Sequence, residues 1–127
     1  MLSYRFYRGS RIPHACRSLT LTFGLMKIWF DHCRDKMAAT VLTDGDTYIA
    51  WCGYHQVSEK TFEIGTYVRA DYRKKDYGTE CLNRALKMLA KDHPGATVRY
   101  GANLERFNEK YHELIKENGL VPDRWFA

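Results

Sequence analysis

The sequence predicts a mixed α/β (α+β) fold in which helices flank a mainly antiparallel central sheet. Residues 38–55 read as a β-hairpin, and a third strand, Phe62 to Val68, follows closely. That strand leads through the basic turn Arg73-Lys74-Lys75 into an amphipathic helix running to Ala90. A short strand at 97–100 and a last helix starting near Leu104 continue the alternation of strand and helix.

A chain of 127 residues is expected to form one domain, long enough to bury a real core. With 45% hydrophobic and 28% charged residues, it is not a disordered chain. The four cysteines, at 16, 33, 52 and 81, form no Cys-x-x-Cys pair. No metal site is therefore expected, and a reducing, cytoplasmic setting is the simplest context. The net charge of +5 is uneven: Arg5, Arg8, Arg11, Arg17 and Lys27 all precede the first acidic residue, Asp31. A targeting peptide or a nucleic-acid-binding arm would share that bias. The apolar patterning of the same residues places them in the fold instead.

Taken in order, Leu2, Tyr4 and Phe6 alternate with Ser3, Arg5 and Tyr7, the signature of a half-exposed strand. Gly9-Ser10 breaks it, and Ser10 is a candidate cap for a helix with Pro13 in its first turn. Ile12, Cys16, Leu19, Phe23, Met26 and Phe30 form one stripe at helical spacing, with Gly24 dividing it into two shorter helices. Residues 38–43 and 47–55 pair through Asp44-Gly45-Asp46, and Ser58-Glu59-Lys60 turns the chain into the Phe62 strand. Cys81, Leu82, Ala85, Leu86 and Leu89 share one face of the following helix, which His93-Pro94-Gly95 ends. In the last helix Leu104, Phe107, Tyr111, Leu114 and Ile115 share a face, and Asn118-Gly119 stops it. No run is long enough to span a membrane, and no membrane partner is expected.

The chemistry concentrates between Arg73 and Thr79. A helix start presents amides without intrahelical partners and a partial positive charge, and Arg73, Lys74 and Lys75 reinforce both. Gly78 allows close backbone approach, so a pyrophosphate fits the physics. A solvated basic turn is the plainer alternative. The Walker A and Gly-x-Gly-x-x-Gly patterns are absent, and no cysteine carries a local nucleophile signature.

The stretch from Phe62 to Ala90 resembles the acetyl-CoA-binding motif of the GCN5-related N-acetyltransferase (GNAT) superfamily. Val68 matches the strand-end residue, Arg73 the first motif position and Gly78 the last glycine, while Thr79 and Leu82 to Leu89 resemble the following helix. Asp76 departs from the pattern, standing where the family usually has its first glycine. Its carboxylate would repel phosphate, or else point outward and cap the helix. The resemblance implies acetyl-CoA as co-substrate, held by Tyr67, Val68, Arg73, Lys74, Lys75, Asp76, Tyr77, Gly78 and Thr79, with Asn103 and Asn108. It also implies that the strand at 97–100 lies beside the Phe62 strand, the two splaying apart to admit the pantetheine arm. Asn108, Leu114, Gly119 and Leu120 resemble a later family motif, but Ile115 stands where the family often has a proton-donating tyrosine. Tyr111, one turn earlier, is a candidate substitute; a core tyrosine is the alternative. The family usually closes its sheet with two strands, whereas Val121 to Phe126 suffices for one, so the resemblance implies a C-terminally truncated GNAT-like sheet. Trp125 and Phe126 would then cover the open edge or join a homodimer interface.

The resemblance further implies acetyl transfer to a primary amine of a small molecule, peptide or protein. Glu63 is the first candidate base, its alternative being a cross-strand salt-bridge partner. His55, on the neighbouring strand, is the second candidate, its alternative being a structural histidine. The competing functional reading is a catalytically silent GNAT-like binding or inhibitory protein, whose basic N-terminal surface would meet nucleic acid or an acidic protein. The basic balance disfavours polyamines and Lys-rich tails as acceptors.

Overall fold

The turn chemistry and apolar alternation of the first half of the chain produce three successive antiparallel pairings. The computed structural model describes residues 1–19, 24–73, 75–101 and 105–124. Its strands are β1 (Leu2–Arg8), β2 (Met37–Asp44), β3 (Thr47–Ser58), β4 (Thr61–Val68), β5 (Thr97–Tyr100) and β6 (Val121–Arg124). Its helices are α1 (Ala15–Leu19), α2 (Gly24–Cys33), α3 (Tyr77–Asp92) and α4 (Glu105–Glu117). The six strands lie side by side in chain order. Pairing is antiparallel from β1 through β4 and parallel for β4–β5 and β5–β6, because a helix crosses over before each of the last two strands. At the β2–β3 turn Gly45 supplies the positive φ of 59° that a tight hairpin needs.

Side-chain alternation divides the interior into two cores, one on each face of the sheet. Ala38, Leu42, Ala50, Cys52, Tyr54, Phe62, Ile64 and Val98 pack against Cys81, Leu82, Ala85, Leu86 and Leu89 of α3 and Tyr111 and Ile115 of α4. Met37, Ala39, Val41 and Trp51 point the other way and pack against Ile12, Cys16, Trp29 and Phe30. Each fully buried leucine contributes about 1.5–3 kcal/mol by leaving water, so both helical layers are held mainly by their apolar stripes.

The first helix does not begin at Ser10. Gly9–Arg11 forms a 3-10 turn instead, and α1 starts at Ala15. Gly9 takes a positive φ of 54°, and Pro13 drives the preceding Ile12 into extended geometry at ψ 124°. Neither conformation continues an α-helix. The division of the stripe into two helices is as the sequence suggested, with Ile12, Cys16 and Phe30 buried together; the side chains of Leu19, Phe23 and Met26 lie outside the described residues. Arg34 fastens this region: its guanidinium donates to the carbonyls of Ser10 (3.2 Å) and Ile12 and lies over the Phe30 ring. Arg8 and Arg17 of the basic N-terminal region form ion pairs with Asp92 and Asp31.

At the other end, Gly119 takes a φ of 74° and Asn118 donates to the Leu114 carbonyl at 2.8 Å, ending α4 at the expected place. β6 is the one short strand expected before residue 125. Leu104 and the side chain of Phe107, the tail residues Trp125 and Phe126, and with them the expected edge-covering or dimer role, lie outside the described residues.

Candidate active site

The expected anion site lies where β4 gives way to α3. A 3-10 turn at Ala70–Tyr72 follows the strand, and Asp76 then adopts a left-handed conformation (φ 59°, ψ 17°) immediately before the helix. Aspartate tolerates that region better than most residues, so it holds the turn in a shape for which glycine is the usual choice. This corrects the expectation of a capping carboxylate: the Asp76 side chain makes no cap hydrogen bond and is exposed. A side-chain cap needs extended backbone at its own residue, and Asp76 is not extended. Its carbonyl still accepts from Glu80, so the amides of Tyr77, Gly78 and Thr79 form the open first turn.

Gly78 also has a packing reason. A Cβ there would stand 2.9 Å from Val68 Cγ2 and 3.5 Å from Thr66 Cγ2, so glycine lets α3 press directly onto β4. Arg73 is exposed; its Nε donates to the Val68 carbonyl at 3.0 Å, and its guanidinium lies 5.8 Å from the Tyr67 ring centre. The Lys75 ammonium sits at the same distance from Tyr72. Strand end, cations and helix start are thus one contiguous surface. Lys74 and Asn103 lie outside the described residues, while Asn108 is buried on α4.

β4 and β5 part company beside this turn. Their pairing covers Thr61 to Glu63 against Thr97 to Arg99, and beyond Glu63 no β4 residue pairs with β5 among the described residues. Tyr111 of α4 reaches this parting: its hydroxyl donates to Thr66 Oγ1 at 2.9 Å, and its ring stacks on Tyr100 at 5.9 Å. Burial pushes the phenol pKa far up, although hydrogen bonds with Thr66 pull the other way. The hydroxyl therefore keeps its proton at any ordinary pH. Ile115 is fully buried in the core, where it has no chemical role to play.

The two candidate bases prove to be direct cross-strand partners. His55 and Glu63 stand opposite each other on β3 and β4, with His55 Nε2 3.2 Å from Glu63 Oε1. Both are buried, and Trp29 of α2 lies over the imidazole at 4.6 Å between ring centres. Burial lowers the His55 pKa from its ordinary value, outweighing the attraction of Glu63. Glu63 Oε2 is buried with no hydrogen-bond partner among the described residues. A buried carboxylate oxygen left open is costly, and such groups are found where chemistry uses them. The cross-strand partner of Glu63 is thus His55. Trp29 was missed by the sequence reading because it lies beside, not on, the six-residue stripe followed there; the adjacent Phe30 was the available signal.

Comparison with known proteins follows the same lines. The family model described as acetyltransferase (GNAT) family matches residues 6–119. A GNAT family acetyltransferase from Streptococcus pneumoniae TIGR4 superposes with a TM-score of 0.64 at 13% identity, covering 100% of this chain and 98% of that one. An acetyltransferase from Bacillus subtilis in complex with CoA gives 0.68 at 18% identity, over 88% and 75% of the two chains. A ribosomal-protein-alanine N-acetyltransferase from Brucella melitensis biovar Abortus 2308 gives 0.64 at 12%, over 100% and 96%. At such identities the likeness is one of fold. No curated protein matches the sequence.

Proposed function

The chain belongs to the acetyltransferase (GNAT) family, and from that premise we propose that it transfers the acetyl group of acetyl-CoA to a primary amine. The observation that carries this reading is the left-handed Asp76 turn. It leads the chain from Arg73 into the open first turn of α3 beside the parting of β4 and β5. A pyrophosphate there would meet the amides of Tyr77, Gly78 and Thr79 with Arg73 and Lys75, a donor set that suits it. Lys74 belongs to the same proposed set. Tyr67 and Val68 would flank the thioester, with Asn108 and, on the resemblance, Asn103 toward the pantetheine side.

The co-substrate supplies an activated acyl group; the chain supplies position and proton handling. β4 backbone groups beyond Glu63, which find no partner in β5 among the described residues, would polarise the thioester carbonyl. An alkylamine arrives protonated at neutral pH, so its proton must leave before nitrogen attacks. Glu63 Oε2, which has no partner among the described residues, is the proposed acceptor, while His55 Nε2 lies against the other oxygen. The Tyr111 hydroxyl is the proposed donor to the departing thiolate.

The test is titration of acetyl-CoA by calorimetry, with thiol release measured on an amine panel. Arg73→Ala is expected to weaken acetyl-CoA by about tenfold, the scale of one charge-assisted hydrogen bond. Glu63→Gln and Tyr111→Phe are each expected to lower kcat by about a hundredfold with co-substrate affinity retained. A folded wild-type protein that binds no acetyl-CoA would overturn the proposal.

A further inference from the structure

α3 returns along β4 in the opposite direction, so the end of the helix lies over the start of the strand. Gly78 meets Val68 at one end, and His93 stacks on Phe62 at the other, 4.7 Å between ring centres. A helix of 16 residues spans about 24 Å, which keeps the two ends apart. At the end away from the proposed pyrophosphate turn lies a cavity of about 520 Å³, the size of a small-molecule site. Its floor includes Ala38, Tyr54 and Phe62, each no more than 5% exposed. Tyr54 and Phe62 meet edge to face at 5.8 Å, and His93 extends the aromatic surface. His55 and Glu63 follow these two residues in the chain and face the opposite layer, so the cavity is separate from the acid–imidazole pair.

The polar groups around that floor are unevenly satisfied. Arg8 is held by Asp92 at 2.6 Å. Arg11 and Lys36 come from two 3-10 turns, Gly9–Arg11 and Arg34–Lys36, which touch closely: a Cβ on Gly9 would stand 3.3 Å from the Asp35 carbonyl oxygen. Arg11 and Lys36 are exposed on the cavity wall, and neither forms an ion pair among the described residues. Asp35 on the same wall forms none there either, which leaves three cations against two carboxylates. Tyr54 is buried, yet its hydroxyl has no hydrogen-bond partner among the described residues. Burial and the nearby Asp92 push its phenol far up, outweighing Arg8, so the hydroxyl remains a donor.

We infer that this cavity is a second ligand site, independent of acetyl transfer, and that it takes an aromatic monocarboxylate. The rings of Tyr54, Phe62 and His93 suit a planar apolar body. The carboxylate would accept from the Tyr54 hydroxyl and from Arg11 or Lys36, bonds strengthened by its charge. One ionised carboxylate matches the excess of one positive charge on the wall. An amine of the same shape would face Arg11 and Lys36 and find only Asp35, because Asp92 is engaged by Arg8.

The experiment follows backbone amide shifts by NMR while the full chain is titrated with 2-naphthoate or, as the charge-reversed probe, 2-naphthylmethylamine. With 2-naphthoate, saturable shifts are expected at Ala38, Gln56 and His93 and not at Tyr77 to Thr79, with a Kd of about 1 mM or tighter. The amine should bind there at least about tenfold more weakly. The double variant Arg11→Ala/Lys36→Ala, altered only at exposed positions, is expected to weaken 2-naphthoate by about tenfold. Tyr54→Phe, which keeps the ring, should weaken it by about fivefold. Absence of saturable shifts around the cavity would overturn the inference, as would shifts centred on Tyr77 to Thr79. Equal or tighter binding of the amine, or undiminished binding by the double variant, would overturn it as well. Failure of the protein to bind acetyl-CoA would sink the proposed transfer and leave this site standing.

Discussion

At the scale of single residues, the site is governed by what burial does to a few polar groups. His55 sits under Trp29 and beside Glu63, so its environment offers one carboxylate and otherwise a poor solvent for charge. The net effect lowers its pKa below the ordinary 6.5. A histidine that resists protonation in the folded chain but accepts it when unfolded makes the unfolded state bind more protons in that window. Stability from this group is therefore complete above pH 6.5 and falls as the pH drops toward the depressed value. Thermal midpoints measured from pH 8 to pH 5 are expected to decline below 6.5, and less steeply in a His55→Gln variant. An identical slope in the variant would assign the decline to other groups. Cys52 and Cys16 show the same physics: burial pushes both thiols up to about 12, so neither offers a thiolate.

At the scale of elements, the junction of β4 and α3 carries two opposing demands. An isolated helix would gain about 1 kcal/mol from Gly78→Ala by propensity alone. Here the added Cβ meets Val68 Cγ2 at 2.9 Å, and overpacking of that kind costs roughly 1–3 kcal/mol. Overpacking should win, and Gly78→Ala is expected to destabilise the protein by about 1 kcal/mol in urea unfolding. A stabilised variant would mean that α3 can lift from the strand at no cost. The same junction was only half legible in advance. The basic turn, the glycine and the amphipathic stripe could be read directly, since charge and periodicity are local properties. The left-handed backbone of Asp76 and the reason for Gly78 could not, since both depend on where the helix lands against β4.

At the scale of the molecule, two apolar cores share one sheet, and β2 and β3 contribute buried residues to both. Trp51 anchors the α1–α2 side and Leu86 the α3–α4 side, each fully buried. Because neighbouring residues of one strand serve opposite cores, neither core can melt while the other keeps the sheet intact. Trp51→Ala and Leu86→Ala are expected to cost about 3–5 and 2–5 kcal/mol respectively. In both, near- and far-ultraviolet circular dichroism should report one coincident transition. Separate transitions in either variant would show that the two layers fold independently. The positive charge also looks different at this scale. Arg8 and Arg17 are engaged within the fold by Asp92 and Asp31, so part of the bias of the first thirty residues is structural.

The sequence by itself determined the sheet-and-helix order, the hairpin, the split of the first helical stripe, and the basic turn before α3. Each of these follows from periodicity, turn chemistry or local charge, which act between near neighbours in the chain. Tertiary structure alone decided that Glu63 and His55 are one pair, that Trp29 lies over His55, and that the Trp51 ring lies across Gly53. It also decided that Tyr111 spans to Thr66. These relations join residues on different elements, and their positions follow from strand register and helix docking, which depend on packing over the whole core.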